Sequence, residues 1–341
     1  MVEAVMKTLI SLSVLILMGC AHSDSNSQKA QVYDTGLVNS GAIAIAPNGN
    51  TVISGNKDSN HGVVMSSADG KIWTITQSFD SNGLDLLGLG KMVTVGNAMY
   101  LTVATGPYTI DGYYHTDVYK SIDSGVTWKK VYTNTQYTIM WNNTVIGSQV
   151  AVALWGVPQS GYQNGYVDFG WYDISSENLI VSSRIASTND FGDHNFPSET
   201  YIYARPSDNA LVAIVRWGES PQIPYSRLKL SIDNGLTWTD TGIVWAGMAG
   251  NIFGCKTDDG QYWFAGYQEE SRSKVSSTIW QSNPNSGSVY NFIYPFGLST
   301  DLVPSKGLSG NGGIACHGKT ISALLGNTRG NGNLEFISFS E

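Results

Sequence analysis

Beyond residue 20 the chain carries its apolar residues in short bursts. Val, Ile, Thr and aromatic side chains come in runs of a few residues, cut by clusters of Gly, Asn, Asp and Ser. That pattern predicts many short strands joined by tight turns. No long stretch after residue 20 keeps a helical period. Two segments show the unit in miniature: GAIAIAPNGNTVISGN at 41–56 and GGIACHGKTISALLGN at 312–327. Each reads as two strands about a Gly turn. Their likeness predicts that the first and last structural units are built alike.

The first 20 residues follow a different pattern. Lys7 precedes the apolar run TLISLSVLILMG, which ends at Cys20. The run is too short for a membrane span and has the length of a signal-peptide core. Its LMGC ending resembles the lipobox of bacterial lipoproteins, with Leu17 and Gly19 flanking the cut and Cys20 taking the lipid. Met6 is an alternative start. Ala21 in place of Asp favours an outer-membrane anchor over inner-membrane retention. The competing reading is an ordinary secretory signal that happens to contain a cysteine. Residues 21–31, AHSDSNSQKAQ, read as a flexible polar tether.

Composition narrows the picture. With 42% hydrophobic and 13% charged residues, the chain can bury a large core and is not disordered. The net charge is −8 with no basic block, so nucleic acid is not an expected partner. Cys255 and Cys316 are left, and an exported compartment permits a disulfide between them. Two buried free thiols fit the sequence equally well.

The chain writes one octapeptide twice, SIDSGVTW at 121–128 and SIDNGLTW at 231–238. SADGKIW at 67–73 is a version one residue shorter, and SNPNSGSVY at 282–290 a worn one. The aromatic positions Trp73, Trp128, Trp238 and Tyr290 imply a period of about 55 residues once a silent copy near 183 is allowed, close to the roughly 40–50 of known propeller blades. KTDDGQYW at 256–263 matches by letters but is out of phase, and reads as a hairpin turn. The motif has the chemistry of a turn. Ser and Asp can satisfy backbone groups, Gly accepts positive φ, and Trp offers a large face to wedge between sheets.

These octapeptides resemble the Asp-box, or BNR repeat, of sialidase-type β-propellers. The resemblance implies an all-β fold, a six-bladed β-propeller, over residues 32–341, after the signal (1–20) and tether (21–31). It also implies that Asp69, Asp123 and Asp233 are scaffold on outer turns, away from the substrate funnel.

The same resemblance suggests a site. In PSETYIYARPSDNALVAIVR, 197–216, Glu199 matches the carboxylate that activates the nucleophile and Arg216 the second of three arginines that clamp a substrate carboxylate. Arg272 stands where the third arginine is expected, and Asp58 where the acid/base Asp loop is expected. Two positions depart from the family. Asn39 takes the place of the first arginine, and Asn311 that of the nucleophilic Tyr. Tyr290 and Tyr294 lie near the latter. Lys57 aligns with Arg216 in the blade repeat and adds positive charge. Asn offers a neutral amide where Arg offers a charged fork. Glu199 and Asp58 could still run an inverting hydrolysis through water.

A glycoside hydrolase acting on acidic sugars such as sialosides is therefore expected, as a monomer with no cofactor. Two alternatives stand beside it. One is a lyase of uronic-acid glycans using His194 or Tyr201; the other is a non-catalytic propeller binding glycan or protein. His61 and His115 are further candidates, and Trp155, Trp217 and Tyr267 could stack on sugars. Asp190, Asp193, His194 and Glu199 gather oxygen ligands but lack EF-hand spacing, and no zinc motif is present, so no metal is expected.

Overall fold

The computed structural model describes residues 31–58, 61–80, 86–105, 115–156, 165–190, 196–218, 225–246, 248–271, 274–282, 290–293, 313–326 and 334–340. These residues form strands and turns, with one short 3-10 turn at Thr188–Asp190 among them.

β1 (Gln31–Asp34) comes first and is set aside by the topology. The first sheet is β2 (Asn39–Ile45), β3 (Thr51–Asn56), β4 (His61–Ser67) and β5 (Thr74–Asp80). The second is β6 (Leu86–Val95), β7 (Ala98–Thr105), β8 (His115–Ser121) and β9 (Lys129–Asn134). The third is β10 (Thr138–Ile146), β11 (Gln149–Gly156), β12 (Tyr166–Asp173) and β13 (Asn178–Ser187). The fourth is β14 (Phe196–Ala204), β15 (Leu211–Gly218), β16 (Tyr225–Ser231) and β17 (Thr239–Ala246). The fifth is β18 (Met248–Lys256), β19 (Tyr262–Ser271), β20 (Lys274–Ser282) and β21 (Tyr290–Ile293). The sixth takes β22 (Gly313–His317), β23 (Thr320–Gly326) and β24 (Leu334–Ser340), and β1 returns to complete it, paired antiparallel with β24. The two similar segments noted at 41–56 and 312–327 are β2–β3 and β22–β23.

All six sheets are antiparallel meanders, and each first strand packs against the first strand of the next sheet. The sequence of contacts closes, because β22 also packs against β2. Alternation along each strand then feeds two cores at once. Val52 faces the second sheet with Met99 and Leu101, whereas its neighbour Ile53 faces the sixth with Leu324 and Phe336. Ala213 and Val215 face the third sheet, and Val212 and Ile214 the fifth. One apolar cluster fills each gap between consecutive sheets, six in all among the described residues. Strands buried on both faces explain the continuous apolar runs, such as LVAIV at 211–215. The fold is all-β and propeller-like.

The repeated octapeptides form turns from the third to the fourth strand. In the second sheet the Ser121 hydroxyl donates to Asp123 (2.8 Å) and accepts from Gly125 N–H (2.9 Å). Asp123 in turn accepts from Thr127 N–H (2.9 Å) and the Thr127 hydroxyl (2.5 Å). Ser231, Asp233, Gly235 and Thr237 repeat that network in the fourth sheet. The shorter version keeps Ser67, Asp69 and Gly70 in the same relation. Each glycine has positive φ and also touches the preceding sheet. A Cβ would stand 2.4 Å from Phe336 at Gly70, 3.1 Å from Val52 at Gly125 and 2.0 Å from Phe169 at Gly235. The tryptophans follow: Trp73 meets Phe336 and Trp238 meets Phe169 edge-on, at 5.2 and 5.5 Å between ring centres.

The third sheet corrects the expectation of a silent copy near 183. Its corresponding turn is at 173–178, where Asp173 accepts from Ser175 and Ser176 N–H. Glu177, at φ 54°, replaces the aromatic wedge with an ion pair to Lys120 of the preceding sheet (2.7 Å). Residue 183 lies instead on β13, where the Ser183 hydroxyl accepts from the Trp238 indole (3.1 Å). The fifth sheet's turn, 283–289, lies outside the described residues. KTDDGQYW is the β18–β19 hairpin, with Gly260 at φ 90°. Cys255 and Cys316 form a disulfide, Cα to Cα 5.5 Å, that joins β18 to β22 across neighbouring sheets. The reading as two free thiols is thereby excluded.

Candidate functional site

In each meander the first strand starts, and the second strand ends, at one end of the sheet; the octapeptide turns lie at the other. The first strands also run the same way around the axis. Ala42, Lys91, Trp141, Tyr201, Phe253 and Gly313, one from each first strand, line a single small axial cavity. A layer further along, Ala44, Val93, Cys255 and Ala315 line the next. The end preceding the first layer is therefore a common mouth.

Five of the sequence-predicted residues fall at that mouth. Asn39 opens β2 opposite Asn56, and Lys57 and Asp58 follow the end of β3. Glu199 lies near the start of β14 and Arg216 near the end of β15. The register shifts between these two strands: Pro197 faces Trp217 and Thr200 faces Val215. Ser198 and Glu199 together oppose the single residue Arg216, a bulge that brings the expected carboxylate and arginine positions side by side along the backbone. Only the backbone is described at Glu199 and Asn39. Arg272, His194, Asn311, Tyr294 and Cys20 lie outside the described residues.

Lys57 is exposed, and its N–H donates to His61 O (2.8 Å). Asp58 Oδ1 accepts from His61 N–H (2.9 Å), and both carboxylate oxygens lie within 2.8 Å of His61 Nδ1. The pair is half exposed, 52% for Asp58 and 55% for His61. Asp58 thus forms a unit with His61, and the imidazole's Nε2 is the atom on its far side.

Burial removes several of the alternatives that the residue types suggest. Trp217 is fully buried between the third and fourth sheets and cannot stack on a sugar. Trp155 is partly buried against the same cluster. Tyr201 is buried, its hydroxyl donates to Gly254 O (2.9 Å), and burial holds its pKa well above the ordinary tyrosine value. It is no candidate base. Asp190, counted among possible metal ligands, instead accepts from Lys229 Nζ (2.8 Å) and from the Ser187 hydroxyl (3.0 Å).

Two features at the mouth have no counterpart in the sequence reading. On the outer strands of the third sheet, Arg184 is held by Asp168 and stacks 3.8 Å from the Tyr166 ring centre. Burial, and then the Asp168 charge, push the neighbouring Tyr137 up to about 12. On the axis, Lys91 places its ammonium 4.8 Å from the centre of the Phe253 ring. A contact of that kind contributes about 0.5–2 kcal/mol. Neither residue carries a motif, so no spacing rule could single it out.

No protein-family model matches the chain, and no curated protein matches it by sequence. Its structure does match solved ones. A Dyadobacter fermentans protein of unknown function superposes with a TM-score of 0.65 at 15% identity, over 92% of this chain and 98% of that one. Trypanosoma rangeli sialidase in complex with the inhibitor DANA gives 0.62 at 11% identity, over 92% of this chain but 58% of the sialidase. Penicillium chrysogenum α-L-arabinanase complexed with arabinobiose gives 0.61 at 9%, over 89% of this chain and 93% of that one. The chain shares the fold of the sialidase and the arabinanase.

Proposed function

We propose that the chain is a glycan-active enzyme, a divergent sialidase-like hydrolase of acidic sugars on a six-bladed propeller. In this reading the turns at 67–73, 121–128 and 231–238 are Asp-boxes, and the protein is exported and lipid-anchored at Cys20. Six four-stranded sheets and six intersheet cores support the blade count. The observation that carries the function is the β14 bulge, which sets the Glu199 position against Arg216 at the mouth. Arg216, Arg272 and Lys57 bind the sugar's carboxylate, and Asn39 contributes an amide where the family has an arginine. Glu199 and the Asp58–His61 pair act as the two proton-handling groups, one activating water and the other protonating the leaving oxygen.

The test is release of 4-methylumbelliferone from its sialoside by the wild type and by Glu199→Gln, with the arabinofuranoside as a neutral control. The expected loss in the variant is about 10²–10⁴-fold, the range for removal of a positioned acid or base. Undiminished turnover in Glu199→Gln would remove this mechanism. Binding of acidic glycan without any turnover would favour the non-catalytic reading, which the two asparagines at family positions support.

A further inference from the structure

The octapeptide turns carry side chains that their own hydrogen bonds do not use. The second and sixth positions are apolar in both full copies, Ile122 and Val126 in the second sheet and Ile232 and Leu236 in the fourth, and the shorter copy has Ile72. The turns leave them in solvent: Ile122 is 77% exposed, Ile232 80% and Ile72 75%. The third sheet lacks the octapeptide, yet Val145 and Ile146 close β10 at the same end and are exposed too. Twelve large apolar side chains are exposed among the described residues, and only Val38 and Val244 lie toward the mouth. The other ten stand at the turn end of the first four sheets. Single exposed apolar residues are ordinary; a set gathered at one end of four consecutive sheets marks a contact surface.

The topology indicates what meets that surface. β1 is the outer strand of the sixth sheet and runs antiparallel to β24, with Gln31 opposite Ser338. The chain therefore enters the ring at the turn end. Cys20 stands eleven positions before Gln31, and a fully extended chain of that length spans at most about 40 Å. A lipid on Cys20 keeps the turn end, not the mouth, close to the bilayer and at high effective concentration there. The three turns hold three aspartates and one lysine, Lys71, so no basic patch is present on them to attract anionic headgroups.

We propose that the turn end is a membrane-docking face: Ile72, Ile122 and Ile232, with their apolar neighbours, seat in the interfacial layer of the bilayer that holds the Cys20 lipid, and the mouth opens away from it. This rests on the lipid-anchor reading above. The exposed side chains lose to the bilayer the water contact that their own turns leave in place. The anchor has already met most of the cost of association, so contacts too weak to bind a free chain suffice to orient a tethered one.

The test uses the lipidated full chain in vesicles of equal parts phosphatidylcholine and phosphatidylethanolamine. An environment-sensitive fluorophore is attached at Ile122→Cys or, at the mouth, at Lys57→Cys, and the vesicles carry a lipid spin-labelled near its headgroup. The label at 122 is expected to lose most of its fluorescence and the label at 57 to keep it. Adding Ile72→Asn and Ile232→Asn is expected to bring the label at 122 back toward the level seen at 57. Equal quenching at the two positions, or unchanged quenching at 122 in the double asparagine variant, would overturn the docking face while leaving the anchor intact, provided the chain still floats with the vesicles. Energy transfer between labelled copies without quenching at 122 would overturn it too, and would assign the face to a second copy of the chain. Failure of the wild type to float would overturn both the anchor and the docking face.

Discussion

The two ends of the ring solve different problems. At the turn end, the same letters recur in three sheets and the same hydrogen bonds recur with them: Ser to Asp, Gly N–H to Ser, and backbone N–H groups to Asp. Asp69, Asp123 and Asp233 are each committed to their own turn. At the mouth the backbone device recurs, a two-against-one bulge in the first, second and fourth sheets, but the residue it carries changes from Gly41 to Lys91 to Glu199. Repetition of letters marks what holds sheets together. Repetition of shape with changing letters marks positions where the side chain is free to vary. An acidic residue in a repeated motif is therefore a poor catalytic candidate, however well its type suits the task.

Three perturbations separate the ends. The largest stability effect is expected at Gly235. Its φ is 85°, and a Cβ would sit 2.0 Å from a Phe169 ring carbon, so Gly235→Ala combines backbone strain with overpacking. About 2–5 kcal/mol of unfolding free energy should be lost in denaturant titration, with sugar binding by the remaining folded protein unchanged. Loss of turnover without destabilisation in Glu199→Gln would complete the contrast. If Gly235→Ala altered specificity at constant stability, the division of labour between the ends would fail.

Next is the Cys255–Cys316 bridge. It closes a 61-residue separation and ties the fifth sheet to the sixth. Opening it by Cys255→Ser with Cys316→Ser should cost about 2–4 kcal/mol, because the crosslink restricts the unfolded chain. Unchanged stability on reduction would show that the intersheet core alone holds this seam.

The smallest effect is in acid. Hydrogen bonds from the Thr237 hydroxyl and N–H, and from Ser231, hold Asp233 down at about 2. Asp123 is lowered as well: partial burial raises it, but the bonds from Thr127 and Ser121 together outweigh that. A depressed carboxylate stabilises the fold fully above its unfolded value near 4 and loses that contribution as pH falls through its folded value. Stability should therefore drop between about pH 4 and 2, and Asp233→Asn should flatten that segment of the curve. An unaltered acid limb in Asp233→Asn would mean that other carboxylates control acid unfolding.

Much of the scaffold is legible in the sequence because its physics is local. A Ser, Asp, Gly and Trp within eight residues specify their own turn, so the octapeptides read as turns from their letters alone. The third sheet defeats such a reading because its turn reaches the same end by other means. Glu177 and Lys120, 57 positions apart, replace the Trp wedge with an ion pair, and no local pattern announces such a partnership. Glu199 and Arg216 stand out through a family motif, but their apposition depends on a register shift that residue letters do not encode. Lys91 escapes notice for the same reason. Its place over Phe253 comes from the axis, and the axis exists only once six first strands have been brought together. Trp217 misleads the other way: an aromatic beside a site residue, it alternates into the core with Val215.

The place of β1 has a consequence for how the molecule is made. Gln31–Asp34 are made before any other described strand, yet their partner Leu334–Ser340 is the last of the described strands to be made. Until then the opening strand has no ladder to join, and each newly completed meander offers an apolar flank to whatever is nearby. Such end-to-end pairing is the slowest kind of contact to form. The seam thus forms only after every described meander has been made, because β1 has no ladder to join until β24 appears.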